Sequence, residues 1–282
     1  MPPSDPAVYL QTRDIRALAE RFGVSPQKSK GQNFLCDANT VRKIVALSGV
    51  GPRDSVLEVG PGFGSLTLGL LAAGARVSAI EIDSRLAQAV REVAAERLPE
   101  ASLEVIEADA LKIETLDSEL SFLVANLPYN VAVPVVLHLL ALHPGFQRVL
   151  VMVQAEVGWR IAAAPGTEHY GAPSVKAAWW GPWAVESTIS RKVFWPEPRV
   201  DSVLVGMRAH TPPGDDQLRQ RVFALVDAGF RSRRKMSRQA LSEHYGSVAD
   251  ATAAIEQAGL EPTSRCETWS LADFVRLEQA GS

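Results

Sequence analysis

Cysteine is nearly absent from this chain. The two present, Cys36 and Cys266, lie far apart and at no metal-ligand spacing. That excludes a disulfide framework and a cysteine-based zinc site, and it points to a reducing compartment. Histidine is sparse as well. His138, His143, His169, His210 and His244 fall into no triad and no metal pattern, so no metal is expected. No apolar run approaches the roughly 18–20 residues that a membrane span needs. The first residues carry no apolar core of a secretory signal. A cytoplasmic protein with no membrane partner is therefore expected. An excess of charge of one sign is missing too. A net charge of −3 excludes a uniformly basic surface but leaves room for a local basic face.

What the chain does have is a strict alternation of short apolar runs and helical periodicity. Its 282 residues suffice for one large domain and a small one. Thr12 to Phe22 has helical spacing with Thr12 as a plausible cap, and Asp37 caps a second helix that ends at Gly49. From Ser55 onward the strands read Val56–Val59, Val77–Ile80, Leu103–Ile106, Phe122–Ala125 and Val149–Val153. Helices are expected between most of them, at Leu66–Ala73, Leu86–Leu98 and Val133–Leu142. Parallel strands joined by helices predict a doubly wound α/β sheet. Between Gln154 and Ser190 the pattern loosens, and Trp159, Trp179, Trp180 and Trp183 read as core or rim packing. Val203–Met207 reads as a last strand. Thr211-Pro212-Pro213-Gly214 is a linker, after which the periodicity is helical to the end. The expected domains are 1–210 and a small all-helical 211–282.

Ligands of doubly wound sheets sit at the carboxyl ends of the strands, and four candidate stretches fall there. Gly60, Gly62 and Gly64 alternate in a tight loop after the first strand, where glycine lets backbone approach a ligand closely. A dinucleotide fingerprint would put its third glycine at position 65, but Ser65 stands there, and Pro61 removes a donor that a pyrophosphate could use. A phosphate-free nucleoside cofactor fits this loop better than NAD does. Glu81 follows the second strand at the distance at which an acid reads ribose hydroxyls, and Asp109 follows the third. Asn126-Leu127-Pro128-Tyr129 follows the fourth. An amide, backbone carbonyls and a phenol ring together suit a planar base that bears an exocyclic amine.

Those four stretches, in that order, resemble a methyltransferase that uses S-adenosyl-L-methionine and acts on the N6 amine of adenine. Two further stretches narrow the resemblance: Gln32-Asn33-Phe34-Leu35, and the proline-braced segment from Phe194 to Ser202. With them the chain is similar to the ribosomal RNA adenine dimethyltransferase family over nearly its whole length. Its nearest branch is the one that dimethylates two adjacent adenines near the 3′ end of bacterial small-subunit (16S) rRNA. The resemblance implies a Rossmann-like class I methyltransferase sheet with a helical C-terminal domain for RNA or substrate recognition. It further implies S-adenosylmethionine as cofactor, and a monomer whose partner is the small-subunit rRNA or immature 30S subunit. Asn33, Leu35, Gly60, Gly62, Glu81, Asp109 and Asn126 would contact the cofactor, with Glu81 on the ribose and Asp109 on the adenine amine. Asn126, Leu127, Pro128, Tyr129 and Phe194 would form the catalytic pocket, with Tyr129 stacking on the target base and Phe194 covering its other side.

The RNA footprint should be local. Arg231, Arg233, Arg234 and Lys235 occur in a stretch without an acid, which on a helix would make a basic face. Lys28 and Lys30 flank the expected pocket. Two other readings compete within the same resemblance: a large-subunit (23S) rRNA methyltransferase, and an assembly factor that acts mainly by binding.

Overall fold

The computed structural model describes residues 8–26 and 32–280, so Lys28 and Lys30 lie outside the described residues. The chain divides into two compact units. One runs to Gly158 and resumes over Ala184–Ala209; the other combines Trp159–Trp183 with the chain from His210 onward.

The first unit begins with α1 (Thr12–Arg21), the two-residue strand β1 (Phe34–Leu35) and α2 (Ala38–Ser48). Thr12 is the first helical residue of α1 rather than its cap. Gln11 holds the cap position, and its N–H donates to Asp14 at 2.8 Å. Asp37 caps α2 as expected, its carboxylate accepting the Thr40 N–H at 2.6 Å. The main sheet follows as β2 (Ser55–Val59), α3 (Ser65–Ala72), β3 (Arg76–Glu81), α4 (Ser84–Arg97), β4 (Leu103–Glu107), β5 (Phe122–Asn126), α5 (Ala132–Leu142) and β6 (Arg148–Gln154). After α6 (Ala155–Ile161) and α7 (Ala172–Ala177), the chain returns through β7 (Trp183–Ile189), β8 (Phe194–Trp195) and β9 (Ser202–Arg208).

Seven strands form one sheet in the order β4-β3-β2-β5-β6-β9-β7. From β4 to β6 all pairings are parallel, and β9 is antiparallel to β6. The strands β2, β6 and β9 are buried almost throughout, as strands of a sheet covered on both faces must be. That is why they read as continuous apolar runs rather than as alternation. β7 is the strand that periodicity does not reveal. It carries Glu186, Ser187 and Thr188 and is largely part-exposed, so it lacks both the apolar run and a clean alternation.

Helix α3 is apolar on every side and buried along nearly its whole length, which marks a helix enclosed by other elements. It lies close against α2 because Gly69 has no side chain. A Cβ there would overlap Val41 Cγ1 and come within 3.2 Å of Val45 Cγ2. A separate two-stranded ribbon pairs β1 with β8, aligning Phe34 with Trp195 and Leu35 with Phe194.

The second unit contains α8 (Asp216–Arg231), α9 (Ser237–Ala240), α10 (Ser242–Tyr245), α11 (Val248–Gln257) and α12 (Leu271–Ala280). Its core includes Val222, Leu225, Val226, Leu241, Ile255, Phe274 and Leu277. Residues 159–183 join it, whereas the expected boundary at 210 left them with the sheet. Their aromatic side chains explain the difference. Trp179 and Trp180 stand edge-on to Phe223 at 6.1 and 5.9 Å. The Tyr170 hydroxyl donates to the Trp269 carbonyl at 2.7 Å. Within this helical stretch, α9 and α10 are two short helices that meet at Leu241 rather than one continuous helix.

If the close approach of α2 to α3 depends on Gly69, Gly69→Ala should overpack that contact. Overpacking typically costs about 1–3 kcal/mol, against which the better helix propensity of alanine returns about 1 kcal/mol or less. A net loss of about 1–2 kcal/mol is expected in chemical denaturation, with an unchanged m-value.

Candidate active site

The strand order places a reversal of winding between β2 and β5, because successive connections run outward in opposite directions from there. A cavity of about 670 Å³ opens at the carboxyl ends of these strands, where the topology requires a crevice. Asn33, Leu35, Gly60, Gly62, Glu81, Asp109, Asn126, Leu127, Pro128 and Tyr129 all line it. Ten positions from five separate stretches thus meet in one place.

The glycine loop makes the floor. Gly60 and Gly62 have φ of +69° and +57°, a region that residues with a Cβ rarely adopt. At Gly62 a second constraint applies, since a Cβ would stand 2.9 Å from Phe34 Cδ1. Phe34 in turn packs on Phe63 with ring centroids 4.6 Å apart. The Ser65 hydroxyl donates to the Leu35 carbonyl, and the Cys36 N–H donates to the Val193 carbonyl at 2.8 Å. The β1 segment is therefore clasped from two sides, which holds Asn33 and Leu35 at the cavity wall.

Two carboxyl groups stand beside the loop. Glu81 accepts the Gly62 N–H at 3.3 Å and the Asp83 N–H at 3.0 Å. Burial raises its pKa, and those backbone donors act in the opposite direction. Glu58, at the end of β2, was not singled out from the sequence. It is 1% exposed, accepts the Thr67 hydroxyl at 2.6 Å and lines the cavity. Burial pushes its pKa up to about 8; the Thr67 hydrogen bond opposes this and the negative charge of Glu81 adds to it. Burial therefore favours the neutral acid form of Glu58. Asp109 folds back on its own turn, accepting the Leu111 N–H at 3.0 Å. No helix follows it, so it is not a helix cap.

The turn after β5 is braced at both ends. The Asn126 side-chain nitrogen donates to the Asn33 carbonyl at 3.3 Å, and the Leu127 N–H donates to the Met152 carbonyl at 3.1 Å. The Pro128 carbonyl accepts the Val131 N–H at 3.3 Å, while among the described residues no donor reaches the Leu127 carbonyl. The Tyr129 hydroxyl and the Ser202 hydroxyl share a hydrogen bond of 2.8 Å.

Phe194 does not line the cavity. It is 4% exposed, belongs to the core cluster that includes Phe34 and Leu35, and sits opposite Leu35 in the ribbon. Its ring is used up in packing, so it is no free aromatic wall in this structure. The segment from Phe194 to Ser202 reaches the site through Ser202 instead. Among the unforeseen apolar residues of the lining, two are exposed: Ile82 at 67% and Leu111 at 37%. An apolar residue directly after a strand-end acid was the available signal for Ile82.

The basic stretch departs from its expected form as well. Helix α8 ends at Arg231, so Arg233, Arg234 and Lys235 lie in the turn beyond it rather than on a helical face. Acids distant in sequence also meet it. Arg231 pairs with Glu243 at 3.1 Å, and Arg233 pairs with Glu267. Arg234 and Lys235 are exposed and form no ion pair among the described residues.

The sheet order and the nucleoside-sized crevice define a Rossmann-like methyltransferase. Solved structures agree on the fold. A dimethyladenosine transferase from Plasmodium falciparum superposes with a TM-score of 0.73 at 24% identity, covering 88% of this chain and 98% of that one. The 23S rRNA methyltransferase ErmE superposes at 0.65, also at 24% identity, covering 88% and 99%. Residues 24–280 match the family model described as ribosomal RNA adenine dimethylase. A relative in Leifsonia xyli, named ribosomal RNA small subunit methyltransferase A, is 58% identical over 94% of this chain and 95% of its own. One of the same name in Thermobifida fusca is 51% identical over 97% and 96%. The chain belongs to the ribosomal RNA adenine dimethylase family.

The buried state of Glu58 has a measurable consequence. Its pKa lies above the ordinary glutamate value, so the unfolded chain releases its proton first. Stability contributed by the protonated form is fully present below about pH 4.5 and is lost progressively as pH rises toward about 8. Glu58→Gln, which keeps an acceptor for Thr67, should be more stable than wild type near pH 8 by a few kcal/mol, because each tenfold change in proton affinity is worth on the order of 1.4 kcal/mol. Near pH 4 the two should be alike. Urea denaturation at both pH values measures the difference.

Proposed function

We propose that the protein transfers methyl groups from S-adenosylmethionine to the N6 amines of two adjacent adenines near the 3′ end of small-subunit rRNA. The observation that carries this reading is the convergence of the Asn126–Tyr129 turn with Gly60, Gly62, Glu81 and Asp109 on one cavity. The relatives more than half identical to this chain bear a small-subunit name, which favours that substrate over the large subunit. Immature small subunits are the proposed partner, and the protein acts as a monomer.

The lining fits the cofactor. The Gly60–Gly62 backbone offers close approach, the Glu81 carboxylate suits two ribose hydroxyls, and Ile82 and Leu111 offer apolar surface to a purine. Asp109 is the acceptor for its amine. When bound, S-adenosylmethionine supplies an already activated methyl group, so positioning matters more than a strong base.

The target amine is a weak nucleophile because its lone pair is delocalised into the ring. Two acceptors on its hydrogens draw the nitrogen toward a tetrahedral geometry. The Asn126 amide nitrogen is engaged by Asn33, which leaves its oxygen as one acceptor. The Leu127 carbonyl, which no donor reaches among the described residues, is the better second acceptor than that of Pro128. Once one methyl is transferred, the remaining N–H can be held in the same way. The target base leaves its stack to enter the pocket, and the Tyr129 ring, fixed at its hydroxyl by Ser202, offsets part of that cost.

Incubating the protein with labelled S-adenosylmethionine and small subunits from cells lacking it, then mapping the modified nucleotides, tests the reading. Label on two adjacent adenines near the 3′ end is expected; label elsewhere, or none, overturns it. Glu81→Ala should weaken cofactor binding by about 10–100-fold, the worth of hydrogen bonds to a charged group, while RNA binding stays as in wild type. Tyr129→Ala should slow transfer at least about tenfold. Tyr129→Phe should retain most activity, and neither should change cofactor affinity in a direct titration.

A further inference from the structure

Helix α6 presents an aromatic side chain that its own unit does not bury. Trp159 is 46% exposed, against the core or rim role that its composition suggests. Its ring centroid lies 5.6 Å from that of His169, with an angle of 32° between the planes. His169 is exposed too. The neighbouring tryptophans are accounted for by packing: Trp179 and Trp180 against Phe223, and Trp269 against Phe274. Trp159 has no ring partner but His169 among the described residues.

The loop that carries His169 is held in place. The Gly166 N–H donates to the Glu267 carbonyl at 2.8 Å, and the Tyr170 hydroxyl to the Trp269 carbonyl at 2.7 Å. The Arg233 guanidinium donates to the Glu168 carbonyl at 2.8 Å. This last bond brings the basic turn against the residue preceding His169. Arg233 is neutralised by Glu267, but the adjoining Arg234 and Lys235 have no acid on them among the described residues. An ordered aromatic surface whose loop is hydrogen-bonded to a turn that carries exposed cations suits a nucleotide, because the base stacks on the rings while its phosphates meet the cations. An apolar protein segment would gain nothing from those cations.

We propose that Trp159 and His169 form a stacking platform in the helical unit for an unpaired base of the ribosomal RNA substrate. The inference rests on the function proposed above. It adds a contact that holds RNA without taking part in methyl transfer.

The test uses the full chain and unmethylated small subunits, with binding measured across a range of salt concentrations and ultraviolet cross-links mapped by mass spectrometry. Trp159→Ala should bind about tenfold more weakly. Its slope of affinity against salt should match that of wild type, since no phosphate contact is lost. Trp159→Phe should retain most of the affinity, and both variants should melt as wild type does. The double variant Arg234→Glu, Lys235→Glu should flatten the salt slope. Cross-links from the Trp159 or His169 peptides should lead to RNA. Wild-type affinity in Trp159→Ala, or cross-links from these peptides to a ribosomal protein, would overturn the platform. If the unaltered protein neither binds nor methylates the subunits, the proposed function fails as well; if it does both while Trp159→Ala binds equally well, only the platform fails.

Discussion

The reversal of winding between β2 and β5 is the constraint on which the rest of the site depends. Strands that diverge in connection leave a crevice that no helix fills. Every residue placed at a strand end is delivered to that crevice by backbone geometry, with no long-range side-chain contact needed to bring it there. Glu58, Glu81 and Asn126 reach the cavity because β2, β3 and β5 stop there. The cost falls on the sheet. Its middle strands must be covered on both faces, so they carry almost no polar side chain except those that face the cavity.

Within that frame the Gly62–Phe34 contact links two otherwise separate pieces of the chain. A loop with positive φ at Gly62 leaves room for Phe34. Phe34 anchors a ribbon whose other strand begins the proline-braced segment, and that segment ends on Ser202 at the Tyr129 hydroxyl. The glycine loop and the Tyr129 turn of the cavity are thus tied through one aromatic core. Buried Phe194 belongs to this tie. It fills that core with Phe34 and Leu35 and does not line the cavity.

Much of this was legible in the chain because doubly wound sheets convert strand order into position. The strands at 56–59, 77–80 and 122–125, and the cavity residues at their ends, follow from apolar runs that end in a glycine, an acid and an amide respectively. What was not legible depended on contacts distant in sequence. Phe194 looked like a free aromatic wall because nothing local announces its pairing with Leu35. Arg231 and Arg233 looked uncompensated because Glu243 and Glu267 lie 12 and 34 residues away. Residues 159–183 read as part of the sheet domain because their attachment to the helical unit is made by side chains, Tyr170 and the pair Trp179–Trp180, and not by periodicity.

The acidic balance of the chain bears on how RNA can be held. With Arg231 and Arg233 committed to ion pairs, the basic turn retains only part of the charge that its composition promises. Phosphate contacts alone therefore provide a modest and salt-sensitive grip. A protein of net charge −3 that must select one exposed region of a structured RNA gains more from surfaces that recognise unpaired bases. Stacking is insensitive to salt, tolerates any base, and is available only where the RNA is not already paired. Tyr129 in the cavity and Trp159 in the helical unit are the aromatic surfaces proposed for that role. Charge attracts all RNA alike, whereas an ordered ring admits only RNA whose bases have left the helix.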